Sequence, residues 1–271
     1  MQTSSPSDLG WFTPPDLDLL FTALSRLPNP GSVILIGGQS LSFWVDYFDI
    51  PMPRLESLYL TQDADFLGTH RDAELLAKEL GAEIRLATMD DNTSNLATLL
   101  YQGVEGKKLL IDILSVVIGL DESEVKKRAI MIEGRGQQLH ILHPLLCLKS
   151  RIENLRTLPS KRNGNGISQA QVAVEVARKY IGALLSQPTE RDAINAVHQI
   201  KDMAWSRAGL FVFKEYGIDL LRAVELEKFH SVPFREKDWP NILRWITDRR
   251  NRSGRTALRL EAMALAKNHQ G

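Results

Sequence analysis

Asp63-Ala64-Asp65 sets two carboxylates at alternate positions, and Asp112 interrupts the apolar run from Leu109 to Leu114. In an extended strand residues i and i+2 project from the same face, so Asp63 and Asp65 are expected side by side. Two carboxylates that close repel each other unless a cation neutralises them. Asp112 poses the same problem in another form, because a carboxylate inside an apolar strand is almost never buried without a partner. If its strand neighbours the one bearing Asp63, the three acids converge on an oxygen-rich site suited to Mg²⁺, a hard cation that also takes substrate phosphates as ligands. Two such ions, roughly 3.5–4 Å apart, stabilise both the attacking and the leaving oxygen of a phosphoryl displacement.

A second group precedes them. Ser32 to Ile36 reads as a short buried strand, Gly37-Gly38-Gln39-Ser40 as a turn, and Leu41 to Phe48 as a helix with apolar residues at helical spacing. Glycines let a backbone approach a ligand closely, and the amides at a helix N-terminus attract phosphate. Ser40 offers either a hydroxyl donor or an N-cap.

These residues need a sheet to hold them. Helices are expected at 16–26 and 71–80, and strands at 58–66, 82–88, 96–101 and 107–114, with a hairpin turn over 103–106. Two further runs, 129–132 and 138–142, extend the sheet. Beyond His143-Pro144 the pattern becomes helical, with helices at 144–155, 167–185, 189–207, 210–227, 238–250 and 254–267 and a polar, mobile loop over 159–166. The expected fold class is therefore α+β: a mixed sheet with flanking helices over 1–142, then an all-α domain over 143–271.

The chain has 271 residues, with 33 Lys and Arg against 33 Asp and Glu and one cysteine. Cys147 cannot form an internal disulfide, and no charged leader followed by an apolar segment opens the chain, so a reducing cytoplasm is expected. No apolar run reaches the roughly 20 residues that span a bilayer. Net neutrality excludes indiscriminate coating of nucleic acid, yet it conceals an asymmetry. Residues 1–66 carry eight acids and two bases, and residues 235–260 carry eight bases and three acids. A second basic segment runs from Lys149 to Arg162.

The order Ile36-Gly37-Gly38-Gln39-Ser40, Asp63-Ala64-Asp65-Phe66, then Asp112 in a hydrophobic strand resembles the signature of the DNA polymerase β-like nucleotidyltransferase superfamily. Gly-Gly-Gln-Ser-Leu ahead of a Trp-bearing helix, with Leu60-Thr61-Gln62-Asp63-Ala64-Asp65-Phe66, looks most like the AbiEii-type toxin nucleotidyltransferases of toxin–antitoxin and phage-defence systems. Leu142 to Ser150 is similar to a lysine-bearing helix of that group. The resemblance spans about residues 33–150. It implies transfer of a nucleoside monophosphate from an NTP to an acceptor hydroxyl, with Asp63, Asp65 and Asp112 as catalytic metal ligands, two Mg²⁺ ions, and Asp112 helping to activate the acceptor. Gly37, Gly38, Ser40 and Lys149 would contact the triphosphate. The acceptor expected from the basic C-terminal helices is tRNA or other RNA, with an antitoxin protein as a further partner. The alternatives are transfer to a small molecule or protein, and a catalytically silent binding module. Two features depart from the group's pattern: the spacing from Gly38 to Asp63 is longer, and the helix after Lys149 lacks the group's Asp-x-x-Asp acids, with Lys161 and Arg162 left as further phosphate contacts.

Other residues read as structural. His140 and His143 are three apart on a strand and so point to opposite faces. Cys147 reads as a small core residue, and Trp44, Trp205, Trp239 and Trp245 fall at helical apolar positions where core packing is the default.

Overall fold

The computed structural model describes residues 12–51, 63–88, 95–134 and 137–252. The chain divides into two compact units, Met1–Asn154 and Leu155–Gly271. The expected helix at 254–267, the loop from Pro51 onward and the first half of the strand at 58–66 lie largely outside the described residues.

The first unit is built on strands β1 (Ile34–Leu35), β2 (Asp63–Leu67), β3 (Glu83–Leu86), β4 (Asn95–Gln102), β5 (Lys108–Leu114), β6 (Ile130–Gly134) and β7 (Gln137–Ile141). They form one mixed sheet in the order β3-β4-β5-β2-β1-β7-β6. The centre decides where the acids meet. β2 and β5 run parallel with Asp65 opposite Asp112, and β4 runs antiparallel to β5 with Thr98 opposite Asp112. Alternation then sorts the side chains. Ala64 and Phe66, Leu109, Ile111 and Ile113, and Ala97, Leu99 and Tyr101 are buried, while Asp63, Asp65, Asp112 and Thr98 share the opposite face. Asp112 is thus no anomaly inside an apolar strand; it stands on the strand's less buried side.

Helices α1 (Pro14–Ser25), α2 (Gly37–Tyr47), α3 (His70–Leu80), α4 (Glu122–Arg128) and α5 (Pro144–Thr157) flank the sheet. Local chemistry sets their ends. α3 opens with a capping box of Thr69 and Asp72 and closes on Gly81, whose φ of +60° is left-handed. α1 opens on Thr13, whose backbone N–H donates to Asp16 Oδ2 at 2.9 Å. Asp16 is itself buried, and its Oδ1 accepts from the Val104 N–H at 2.7 Å, which ties the helix to the β4–β5 hairpin. The sequence analysis missed α4. Its signals were present in Asp121 as N-cap, acids in the first turn and three bases in the last.

The second unit is all-helical among the described residues, as expected. It holds α6 (Gly164–Leu185), α7 (Arg191–Trp205), α8 (Arg207–Tyr216) and α9 (232–252), the last with a π turn over Phe234–Asp238. Two details differ from expectation. The stretch at 159–166 is a 3₁₀ turn, Pro159–Lys161, followed by the start of α6, because Asn163 caps that helix and Arg162 donates to the carbonyls of Leu155 at 2.9 Å and Arg156 at 2.7 Å. The helix expected over 210–227 stops at Tyr216, where Gly217 turns left-handed at φ +66°, and two 3₁₀ turns replace its second half. Among the described residues no helix is long and apolar enough to cross a membrane.

Candidate active site

Asp63, Asp65 and Asp112 each contribute a carboxylate oxygen to a group in which all three atoms lie within 4.8 Å of one another. Among the described residues no other cluster of acids, histidines or cysteine could hold a metal ion. The convergence follows from pairing: a parallel β2–β5 register sets Asp65 beside Asp112, and the two-residue repeat of β2 adds Asp63. Burial pushes the Asp112 carboxyl above the usual range; the hydrogen bond from Thr98 Oγ1 at 2.7 Å works against this, the nearby charge of Asp63 reinforces it, and a bond from Asn95 opposes it. A divalent cation would relieve both the desolvation and the like-charge repulsion.

Helix α2 begins at this cluster. The Ile36 N–H donates to the Asp65 carbonyl at 2.9 Å, and Gly37 follows with φ +65°. A methyl group at Gly37 would lie 2.0 Å from Asp65 Oδ2, so only glycine brings the helix start so close to the Asp65 carboxylate. Gly38 occupies the next position of the same first turn, where backbone amides lack intrahelical acceptors and the helix dipole is positive. Of the two glycines, Gly37 lies against Asp65.

Ser40 and Lys149 make their bonds elsewhere. Ser40 is fully buried, and its hydroxyl donates to the Gly37 carbonyl at 3.0 Å and lies 3.5 Å from Cys147 Sγ. Lys149 Nζ pairs with Glu124 of α4 at 3.1 Å. Arg151, which sequence reasoning passed over, is buried; desolvation lowers its pKa and the charge of Asp65 works against this. The signal was its spacing: Cys147 and Arg151 are four apart on α5 and share a face, whereas Lys149 falls on another. Cys147 is buried with its thiol pushed up to about 11 by desolvation, which suits packing and not nucleophilic attack.

The remaining candidates separate cleanly. His143 is buried at the β7–α5 junction, and its pKa falls to about 3 through desolvation and the charge of Arg128. His140 lies in β7 opposite Ile34. Arg162, besides its bonds to α5 carbonyls, stacks its guanidinium over Phe211 at 5.1 Å. Trp44 is buried and donates to the Leu142 carbonyl at 2.7 Å. Trp239 is buried too, but Trp205 and Trp245 are exposed, contrary to the core role their spacing suggested.

No family model matches the chain, and no curated protein matches it. Solved structures that resemble it include two from different sources. The polyadenylate synthase of Megavirus is 15% identical, with 63% of this chain and 37% of that chain covered and a TM-score of 0.41. JHP933 from Helicobacter pylori is 12% identical, with 90% of this chain and 94% of that one covered and a TM-score of 0.36. The chain spans about 37% of the length of the viral synthase it resembles.

Proposed function

We propose that the chain is a divalent-metal-dependent nucleotidyltransferase that moves a nucleoside monophosphate from an NTP to an acceptor hydroxyl and releases pyrophosphate. The observation that carries this reading is the convergence of three carboxylate oxygens within 4.8 Å on adjoining strands, beside a helix start that glycine holds against Asp65. The donor set is all carboxylate oxygen, which fits Mg²⁺ and excludes the softer ligand sets of zinc or copper. Ions bound there would supply positive charge to the phosphate oxygens.

The chain's own residues do the rest. Thr98 and Asn95 hold Asp112 in place, and Asp112 would help to activate the acceptor hydroxyl. The first-turn amides of α2 receive a phosphate oxygen. Catalysis is then mostly positioning and electrostatics. The acceptor we propose is RNA, a tRNA end being one form, because bases outnumber acids eight to three over residues 235–260.

The test is label transfer. The full chain is incubated with each α-labelled NTP, Mg²⁺ and total RNA, beside Asp63→Ala and Asp65→Ala. Transfer is expected to RNA and to fall on the order of a hundredfold or more in either variant. Transfer that survives both substitutions would falsify the metal assignment, and no transfer from any NTP would leave a binding module. Arrested growth on expression, rescued by the same substitutions and by a co-expressed antitoxin, tests the toxin reading.

A further inference from the structure

Two indole rings of the second unit stand in solvent. Trp205, the last residue of α7, is 41% exposed and Trp245 of α9 is 49% exposed. Arg249 joins them. Its guanidinium lies over the Trp205 ring, 5.5 Å from the centroid, and it is four residues from Trp245, hence on the same face of α9. Arg249 Nε is buried with no hydrogen-bond partner among the described residues. The adjacent Arg250 is different: it is bound to Asp219 at 2.6 and 3.2 Å and stacked 3.6 Å from the Phe213 centroid, which spends it on the fold. Exposed Arg207 opens α8 just after Trp205, and exposed Arg244 and Arg252 lie on α9, with Asp202 of α7 and Asp248 of α9 the exposed acids near the rings.

We propose that Trp205, Arg249 and Trp245 form a stacking platform for single-stranded RNA. The choice of RNA rests on the acceptor reading above; the platform rests on the rings and their charges. Every base has a π-face that an exposed indole can cover, and a neighbouring guanidinium meets the phosphates. A duplex hides those faces inside its own stack, so only an unpaired strand can use both rings. Charge complementarity selects a polyanion over an apolar protein partner: arginines flank the rings, and the guanidinium between them carries no carboxylate among the described residues.

The experiment uses the full chain without NTP or Mg²⁺ and a labelled oligoribonucleotide of about 12 nucleotides, within the usual site sizes for single strands, alone or annealed to its complement. Anisotropy reports affinity, and quenching of tryptophan emission reports stacking. The single strand is expected to bind and quench, and the duplex to bind more weakly. Trp205→Ala and Trp245→Ala should each weaken binding on the order of tenfold, Trp→Phe at either position should retain most of it, and Arg249→Gln should lower the salt slope by roughly one. Circular dichroism melts of every variant separate lost stacking from lost folding, and the Phe variants keep the test open if an Ala variant unfolds. The platform is overturned if the wild type neither binds nor quenches, if a folded double Ala variant binds as wild type does, or if sedimentation shows the rings buried in a dimer that this variant dissolves. Asp63→Ala should bind as wild type does. Binding without transfer therefore refutes the catalytic reading alone, and transfer without stacking refutes the platform alone.

Discussion

Gly37 lies against Asp65, and Arg151 shares its electrostatic field. Gly37→Ala forces a Cβ into left-handed backbone at φ +65° and to within 2.0 Å of Asp65 Oδ2. The backbone strain alone is about 1–2 kcal/mol, and the carboxylate must also move. The variant is expected to melt lower and to lose transfer by much more than its stability loss explains, measured as kcat beside a thermal melt. Arg151 acts through charge. It is buried, where desolvation lowers its pKa and the charge of Asp65 works against this; a positive charge near Asp65 opposes a bound cation, so Arg151→Ala should bind Mn²⁺ more tightly than the wild type. Arg151→Lys keeps the charge and should stay near the wild type. Equal Mn²⁺ affinity in all three proteins would remove Arg151 from the site.

The turn from β7 into α5 is the element whose protonation the fold controls. His143 is buried there; its carbonyl accepts from the Leu146 and Cys147 N–H groups, and its Nδ1 accepts from the Leu145 N–H at 3.1 Å and lies 3.3 Å from Arg128 Nη2. Two donors on Nδ1 require the neutral ring. Its folded pKa of about 3 lies below the ordinary imidazole value of 6.5, so the unfolded chain binds the extra proton between those values. The stability that neutral His143 contributes is complete above pH 6.5 and declines as pH falls toward 3, by up to about 1.4 kcal/mol per pH unit. Urea unfolding across that window should show a slope that His143→Gln reduces.

At the scale of the whole molecule, net charge is zero but ligand charge is not. A cation that binds the folded triad and not the unfolded chain stabilises by about 2.7 kcal/mol at a hundredfold excess over its Kd. Mg²⁺ or Mn²⁺ should therefore raise the melting temperature of the wild type and leave that of Asp63→Ala nearly unchanged. RNA binding should respond to salt in the opposite sense, weakening linearly in log Kd against log salt as arginines release counterions. An affinity unaffected between about 50 and 200 mM salt would exclude RNA as a charged partner.

Sequence alone determined what depends on neighbours along the chain. Strand alternation placed Asp63 and Asp65 on one face, glycine chemistry marked Gly37-Gly38-Gln39-Ser40 as a turn into a helix, although that helix opens at Gly37 and not at the expected Leu41, and the pattern beyond His143-Pro144 read as helical. These features are local, so spacing and residue type suffice. The tertiary structure decided whatever depended on partners distant in sequence. Only strand order sets Asp112 beside Asp65, and only packing turns Ser40 inward, ties Lys149 to Glu124 and buries Arg151. Helical periodicity likewise could not tell buried Trp44 and Trp239 from exposed Trp205 and Trp245. A period records which residues share a face, and only the neighbouring elements determine whether that face is covered.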